Sequence, residues 1–181
     1  MAELTHFDDD GAAQMVEIAG KPETLRHAVA AARVRMAAAT LARIEAGTLA
    51  KGDVLAVARL AGIAATKVTA QTIPLCHPVR VVGVRVDFRS VPPADAPSGA
   101  SPAAPAAQAE LEIRVRVDAI DRTGPEMEAM HGATIAALTV YDMCKAIDRA
   151  MAIDEVVLLE KSGGKSGQWS RDATPGSITR P

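Results

Sequence analysis

The chain has 181 residues and a formal net charge of −2, so one domain is expected and no global basic field draws it to nucleic acid or an anionic membrane. Hydrophobic residues make up 49% of it and aromatics only 2%, so the core rests on Ala, Val, Leu and Ile, and the stacking platforms of single-stranded nucleic-acid binders are lacking. No apolar run is long enough to span a bilayer, the acidic start MAELTHFDDDG has no secretory-signal character, and Cys76 and Cys144 lack disulfide or zinc-finger spacing; a reducing cytoplasm is the expected setting.

Residues 1–11 read as a flexible tail, residues 12–167 as a single domain and residues 168–181 as a second flexible tail. Within the domain, Ala13 to Ala19 alternates like a strand. Lys21-Pro22-Glu23-Thr24 then predicts a helix start, and an alanine-rich pattern through Leu25, Val29, Met36, Leu41 and Ile44 predicts a helix ending at Gly47. Asp53 is a natural N-cap for a second helix, expected to continue to Gln71 with a break near Gly62. Pro74 and Pro78 push Ile73 and His77 out of helical conformation. Val79 to Phe88 and Glu110 to Ile120 alternate as strands, flanking a Pro/Ala/Ser-rich hairpin insertion over about 90–109. Thr123 and Glu126 fit a capping box opening a helix over about Gly124 to Met151, and Asp154 to Glu160 reads as the last strand. The order β–α(α)–β–β–α–β predicts an α+β, ferredoxin-like split-βαβ fold: an antiparallel sheet with helices on one face, its remaining apolar surface covered by oligomerisation.

Chemistry concentrates in the C-terminal third. Asp142 and Lys145 lie three residues apart and share one helix face. The bland reading is a surface ion pair, worth little; their place within an apolar helix suggests instead partial burial and an acid–base role. Glu128 falls on the same face as Asp142 but about 21 Å away at 1.5 Å per residue, too far for one acid–base pair. The run KSGGKS (Lys161 to Ser166) resembles a phosphate loop but fails the Walker A pattern, because Leu159 stands where the first glycine belongs. A looser anion site of glycine amides with Lys161 and Lys165 remains, against the alternative of a solvated tail. His77 is a candidate ligand or acid–base group, or a turn histidine of no consequence. Cys76 beside it makes poor metal geometry, so no metal site and no cofactor are expected. Cys144 reads as plain core, Lys51 and Lys67 are individually weak signals, and His6, His27 and His131 carry none.

Taken together, KGDVLAVARLAGI, KVTAQTIPLCHPV, GPEMEAM, ALTVYDMCKA and LLEKSGGKSG resemble the MoaC-type cyclic pyranopterin monophosphate synthase family of molybdenum cofactor biosynthesis. The resemblance runs from Leu4 to Gly167, departing mainly in the insertion near Ala94 to Ala107. It implies a lyase that converts 3′,8-cyclo-7,8-dihydroguanosine 5′-triphosphate into cyclic pyranopterin monophosphate and diphosphate. It also implies a hexamer, a trimer of dimers, with active sites at the dimer interface. By the same resemblance, the catalytic pair is Asp142 and Lys145. Leu75, Cys76, His77, Met127 and Glu128 contact substrate, and Lys51, Lys67, Lys161 and Lys165 serve the triphosphate or proton transfer. The rival reading is a non-catalytic module of ferredoxin-like fold that binds a nucleotide or phosphate ligand. An RNA-binding domain is disfavoured by the scarcity of aromatics on the two central strands.

Overall fold

The computed structural model describes residues 7, 10–91, 108–165 and 167–171. The chain forms an α+β fold around one antiparallel sheet. The elements are β1 (Thr24–Ala37), α1 (Ala38–Glu45), α2 (Val54–Thr66), α3 (Thr69–Thr72), β2 (Val81–Val91), β3 (Gln108–Asp121), α4 (Glu126–Cys144), β4 (Ala152–Ser162) and β5 (Trp169–Ser170). The strand order is β2-β3-β1-β4-β5, every neighbouring pair running antiparallel.

The first third of the chain departs from expectation. Residues 24–37 form the central strand, not a helix, and the helical stretch is only Ala38–Glu45. Alanine's helix preference yields here to burial, because Ala28, Ala30 and Ala32 are fully enclosed between β3, β4 and α4. Apart from an isolated bridge between Phe7 and Ala13, residues 13–19 form no strand. Both edges of β1 are already taken by β3 and β4, so that segment has no central edge to join.

Elsewhere the elements fall near their expected positions, with local corrections. Asp53 caps α2 as expected, its Oδ1 accepting from the Ala56 amide at 2.9 Å. The helix passes Gly62 without a break and pauses only at Lys67-Val68. Gly62 serves packing: a Cβ there would lie 3.1 Å from the Gly132 carbonyl oxygen on α4. The capping box does not form. Pro125 is the N-cap of α4 without a side-chain bond, and Glu126 turns instead to Lys161 on β4, at 2.8 Å. The helix ends at Cys144, β4 extends to Ser162, and residues 169–170 add a short fifth strand beside it. Of the insertion, residues 90–91 and 108–109 belong to β2 and β3, and residues 92–107 lie outside the described residues.

Alternation in the strands decides where the helices sit. Ala109, Leu111, Ile113, Val115, Val117 and Ala119 of β3 are all buried, whereas Arg114 between them is exposed. α4 lies on the apolar side, Gly132 close to Val115, and Gly62 of α2 lies close to Val86, the β2 partner of Val115. Both helices therefore cover the same face of the sheet. α4 thus packs over β1, β3 and β4, which holds its two ends apart on the helix side of the sheet. After α4 the chain is anchored by Asp148, whose Oδ2 accepts from the Ala37 amide and the Thr40 hydroxyl at 2.9 and 3.0 Å.

Candidate active site

The C-terminal end of α4 carries the first group of side chains. Val140 and Cys144 face the core and are fully buried, which turns Asp142 and Lys145 outward. Their side chains are 58% and 52% exposed, so the expected partial burial of this pair does not hold in the single chain. The Lys145 ammonium donates to Asp142 Oδ1 at 2.6 Å. Lys51 reaches the same carboxylate from the turn before α2, where Gly52 adopts a φ of +89°. Its Nζ donates to the Asp142 carbonyl oxygen at 2.9 Å and stands 3.7 Å from Oδ2. That carbonyl belongs to the last turn of α4, where backbone acceptors lack intrahelical donors and a cation is favoured. Hydrogen bonding to Lys145 and the charges of Lys145 and Lys51 hold the Asp142 carboxyl below its ordinary range, and the same bond raises Lys145. At neutral pH the group is two ammoniums on one carboxylate, open to solvent and net cationic.

A second group gathers at the other end of the helix. Glu128 is only 2% exposed, and its Oε2 has no hydrogen-bond partner. Its Oε1 lies 3.9 Å from the Cys76 thiol. Burial first, then the charge of neighbouring Glu126, pushes the Glu128 carboxyl up to about 7. Burial and the proximity of Glu128 push the Cys76 thiol up to about 11. Cys76 is thus held as a neutral thiol that faces Glu128 as a donor. A cleft of roughly 100 Å³ opens beside Glu128, walled by Lys67, Thr69, Gln71 and Pro78. Leu75, Cys76 and His77 follow α3 in an irregular segment, held by a Cys76 amide bond to the Ile73 carbonyl at 3.1 Å. His77 is half-buried, Met127 is exposed on the first turn of α4, and Lys165 is exposed in the turn after β4.

The sequence-derived residues therefore fall into two sets. Lys51, Asp142 and Lys145 meet at the C-terminal end of α4. Lys67, Cys76 and Glu128 meet near its N-terminal end, with Met127 next to Glu128 and Lys161 held there by Glu126. Glu126 was legible only as a cap; its role in fixing Lys161 comes from a pairing 35 residues apart that no local pattern announces. His131, without a signal in the sequence, bonds Thr69 through Nδ1 at 3.2 Å and braces the wall of the cleft. Cys144 is plain core. Among the described residues no group of three or more His, Cys, Asp and Glu side chains is arranged to hold a metal ion.

Comparison with known proteins bears on what these two sets do. The protein-family model described as the MoaC family matches residues 15–164. A curated relative from Thermomicrobium roseum, named cyclic pyranopterin monophosphate synthase, is 51% identical over 172 residues, covering 95% of each chain. A relative of the same name from Desulfitobacterium hafniense is 48% identical over 170 residues, covering 94% of this chain and 95% of its own. A third, from Listeria monocytogenes, is 46% identical over 171 residues, with 94% and 98% covered. With a match that takes in both ends of α4 and the glycine-rich turn, the chain belongs to the MoaC family.

Proposed function

We propose that this chain is a cyclic pyranopterin monophosphate synthase. It acts on 3′,8-cyclo-7,8-dihydroguanosine 5′-triphosphate and releases cyclic pyranopterin monophosphate and diphosphate in molybdenum cofactor biosynthesis. The observation that carries the reading is the cationic Lys51–Asp142–Lys145 group, in a chain about half identical to relatives of that name. The reaction opens the imidazolone ring, rebuilds it as a pyrazine and closes a cyclic phosphate. In that last step a ribose-derived oxygen bonds to the α-phosphorus, the α–β phosphoric anhydride bond breaks, and the hydroxyl proton passes to a base. Ring opening needs a proton donor; phosphate closure needs cations on a charge-rich leaving group.

Lys145 supplies the proton. Its bond to Asp142 aims the ammonium, and Lys51 holds Asp142 in place. Glu128, its carboxyl pushed up to about 7 by burial, is suited to hold or move a proton at the substrate ring. Leu75, Cys76, His77 and Met127 flank it as substrate contacts, and Lys67, Lys161 and Lys165 attend the triphosphate. Because the two sets lie at opposite ends of one helix, each site is completed by a second copy. The sheet order supports a ferredoxin-like fold. The hexamer of three dimers and the cytoplasmic setting are part of the proposal and rest on the family resemblance.

Turnover of the cyclised dihydro-GTP, followed by diphosphate and pterin release, tests the reading. Wild type is expected to form product, and Lys145→Ala to lose 100-fold or more in kcat, the scale of one general acid. A correctly assembled wild type that binds the triphosphate without releasing diphosphate would leave a ligand-binding module in its place.

A further inference from the structure

β5 carries an aromatic side chain back to the end of the sheet where α4 begins. The chain holds two Phe, one Tyr and one Trp, so Trp169 is its only indole. Beyond β4 the chain returns along that strand's outer edge, with Trp169 opposite Lys161 and Ser170 opposite Glu160 in an antiparallel register. Just past this pair the Arg171 amide donates to the Leu159 carbonyl oxygen at 2.7 Å, and Arg171 Nε donates to that of Leu158 at 2.9 Å. These two bonds fix the position of a strand only two residues long.

Register also sets the face. Directly opposed residues of an antiparallel pair project to the same side, with Cβ atoms about 5 Å apart. Lys161 projects to the helix side: its β1 partner Ala28 is buried there, and its ammonium reaches Glu126 on the first turn of α4 at 2.8 Å. Trp169 therefore stands on the helix side as well, against the stem of Lys161. α4 packs over β1, β3 and β4, whereas β5 lies beyond them at the edge of the sheet, and Trp169 is 41% exposed. A single exposed apolar side chain is ordinary; what distinguishes this one is its place. Met127, also exposed, adjoins Glu126 on the helix, so apolar groups flank the Lys161–Glu126 pair on both sides.

We propose that Trp169 is a further substrate-binding residue, whose indole stacks on the guanine-derived ring of the substrate. The inference rests on the substrate reading given above. A flat conjugated ring gains most from a second flat π-system, offset-stacked, and an indole provides the largest such face among side chains. Leu75 and Met127, the other apolar contacts assigned to this end, are aliphatic and cannot replace it.

Because Trp169 is the only tryptophan, its fluorescence reports this position alone. The full chain, as Lys145→Ala so that substrate binds without turnover, is titrated with the cyclised dihydro-GTP and separately with inorganic triphosphate. The substrate is expected to quench the emission saturably, and inorganic triphosphate to leave it unchanged. In the otherwise wild-type chain, Trp169→Ala should raise KM by about 5- to 100-fold, the scale of one base stacked on an aromatic side chain, with the calorimetric Kd for inorganic triphosphate held within about twofold. Trp169→Phe should recover most of the loss and Trp169→Leu, apolar without a π-face, little of it. If Trp169→Ala fails to fold, the Phe and Leu variants decide by the same constants. Bound substrate that leaves the emission unchanged, or equal quenching by inorganic triphosphate, would overturn the stacking and leave the reaction standing. So would variants that change the assembly state in size exclusion at unchanged KM, which would assign the indole to a contact between copies. Trp169-dependent substrate binding by a wild type that forms no product would support the stacking and sink the reaction instead.

Discussion

Glu128 shows how far surroundings can change one carboxyl. Buried with Oε2 unpartnered and a second acid two residues away, it titrates near 7 where an exposed glutamate titrates near 4.5. A folded-state value above the unfolded one fixes the sign: as pH rises from about 4.5 to about 7, the unfolded chain gives up this proton while the folded chain keeps it. Folding then loses stability through that window, on the order of 3 kcal/mol by pH 8, a cost absent at low pH. Glu128→Gln imitates the protonated side chain and removes the penalty. Urea unfolding at pH 5 and pH 8 is therefore expected to show the variant gaining on wild type by up to about 3 kcal/mol at pH 8 but by under about 1 kcal/mol at pH 5. An equal pH dependence in both proteins would place the Glu128 titration in the ordinary carboxylate range. On the role proposed for Glu128, the gain in stability should come with a loss of turnover.

At the scale of elements, the crossing of α2 over α4 is set by two glycines. A Cβ on Gly132 would lie 2.9 Å from Thr66 Cγ2, 3.1 Å from Val115 Cγ1 and 3.2 Å from the Gly62 carbonyl oxygen. Alanine's helix propensity would favour Gly132→Ala by about 1 kcal/mol, but all three neighbours are stiff and buried. Overpacking is expected to win, leaving a net loss of about 1–2 kcal/mol in urea unfolding, and Gly132→Leu should disrupt assembly of the domain. Neither glycine's role is legible locally: Gly62 reads as a helix break, and only the partner helix shows that it is a contact point. β1 is the opposite case, because its signal was present. Ala28, Ala30, Ala32, Val34 and Met36 repeat with period two, with His27 just before them and Arg33 and Arg35 on the alternate positions. Alanine's neutrality let a helical reading compete, and it took the pairing with β3 and β4 to decide. Asp53, the two hairpin strands and α4 were legible because each is written in its own residues. The two-sided arrangement of the candidate site was legible as well, since spacing along a helix converts directly to distance.

For the whole molecule, that distance becomes a constraint on assembly. From Glu128 to Asp142 the helix rises about 21 Å, and α4 is packed against β1, β3 and β4 along its length, so the ends cannot approach each other. Chemistry that needs both the Lys51–Asp142–Lys145 group and the Glu128–Cys76 side must draw them from two copies, and two-fold pairing would give two such sites per dimer. This separates the arrangement from one in which either end works alone. Lys145→Ala disables one end and Lys161→Ala the other. Each pure variant is then inactive, because every site carries the same defect. When the two chains are co-expressed in equal amounts, half the dimers are mixed, and each mixed dimer has one site with both defects and one with neither. Activity should return to about a quarter of wild type per chain. Mixing the purified variants without subunit exchange should recover nothing, which guards against contamination as the source. A co-expressed mixture as inactive as its components would overturn the two-copy arrangement, meaning that one chain serves a whole site along a long ligand or that the two ends serve different reactions.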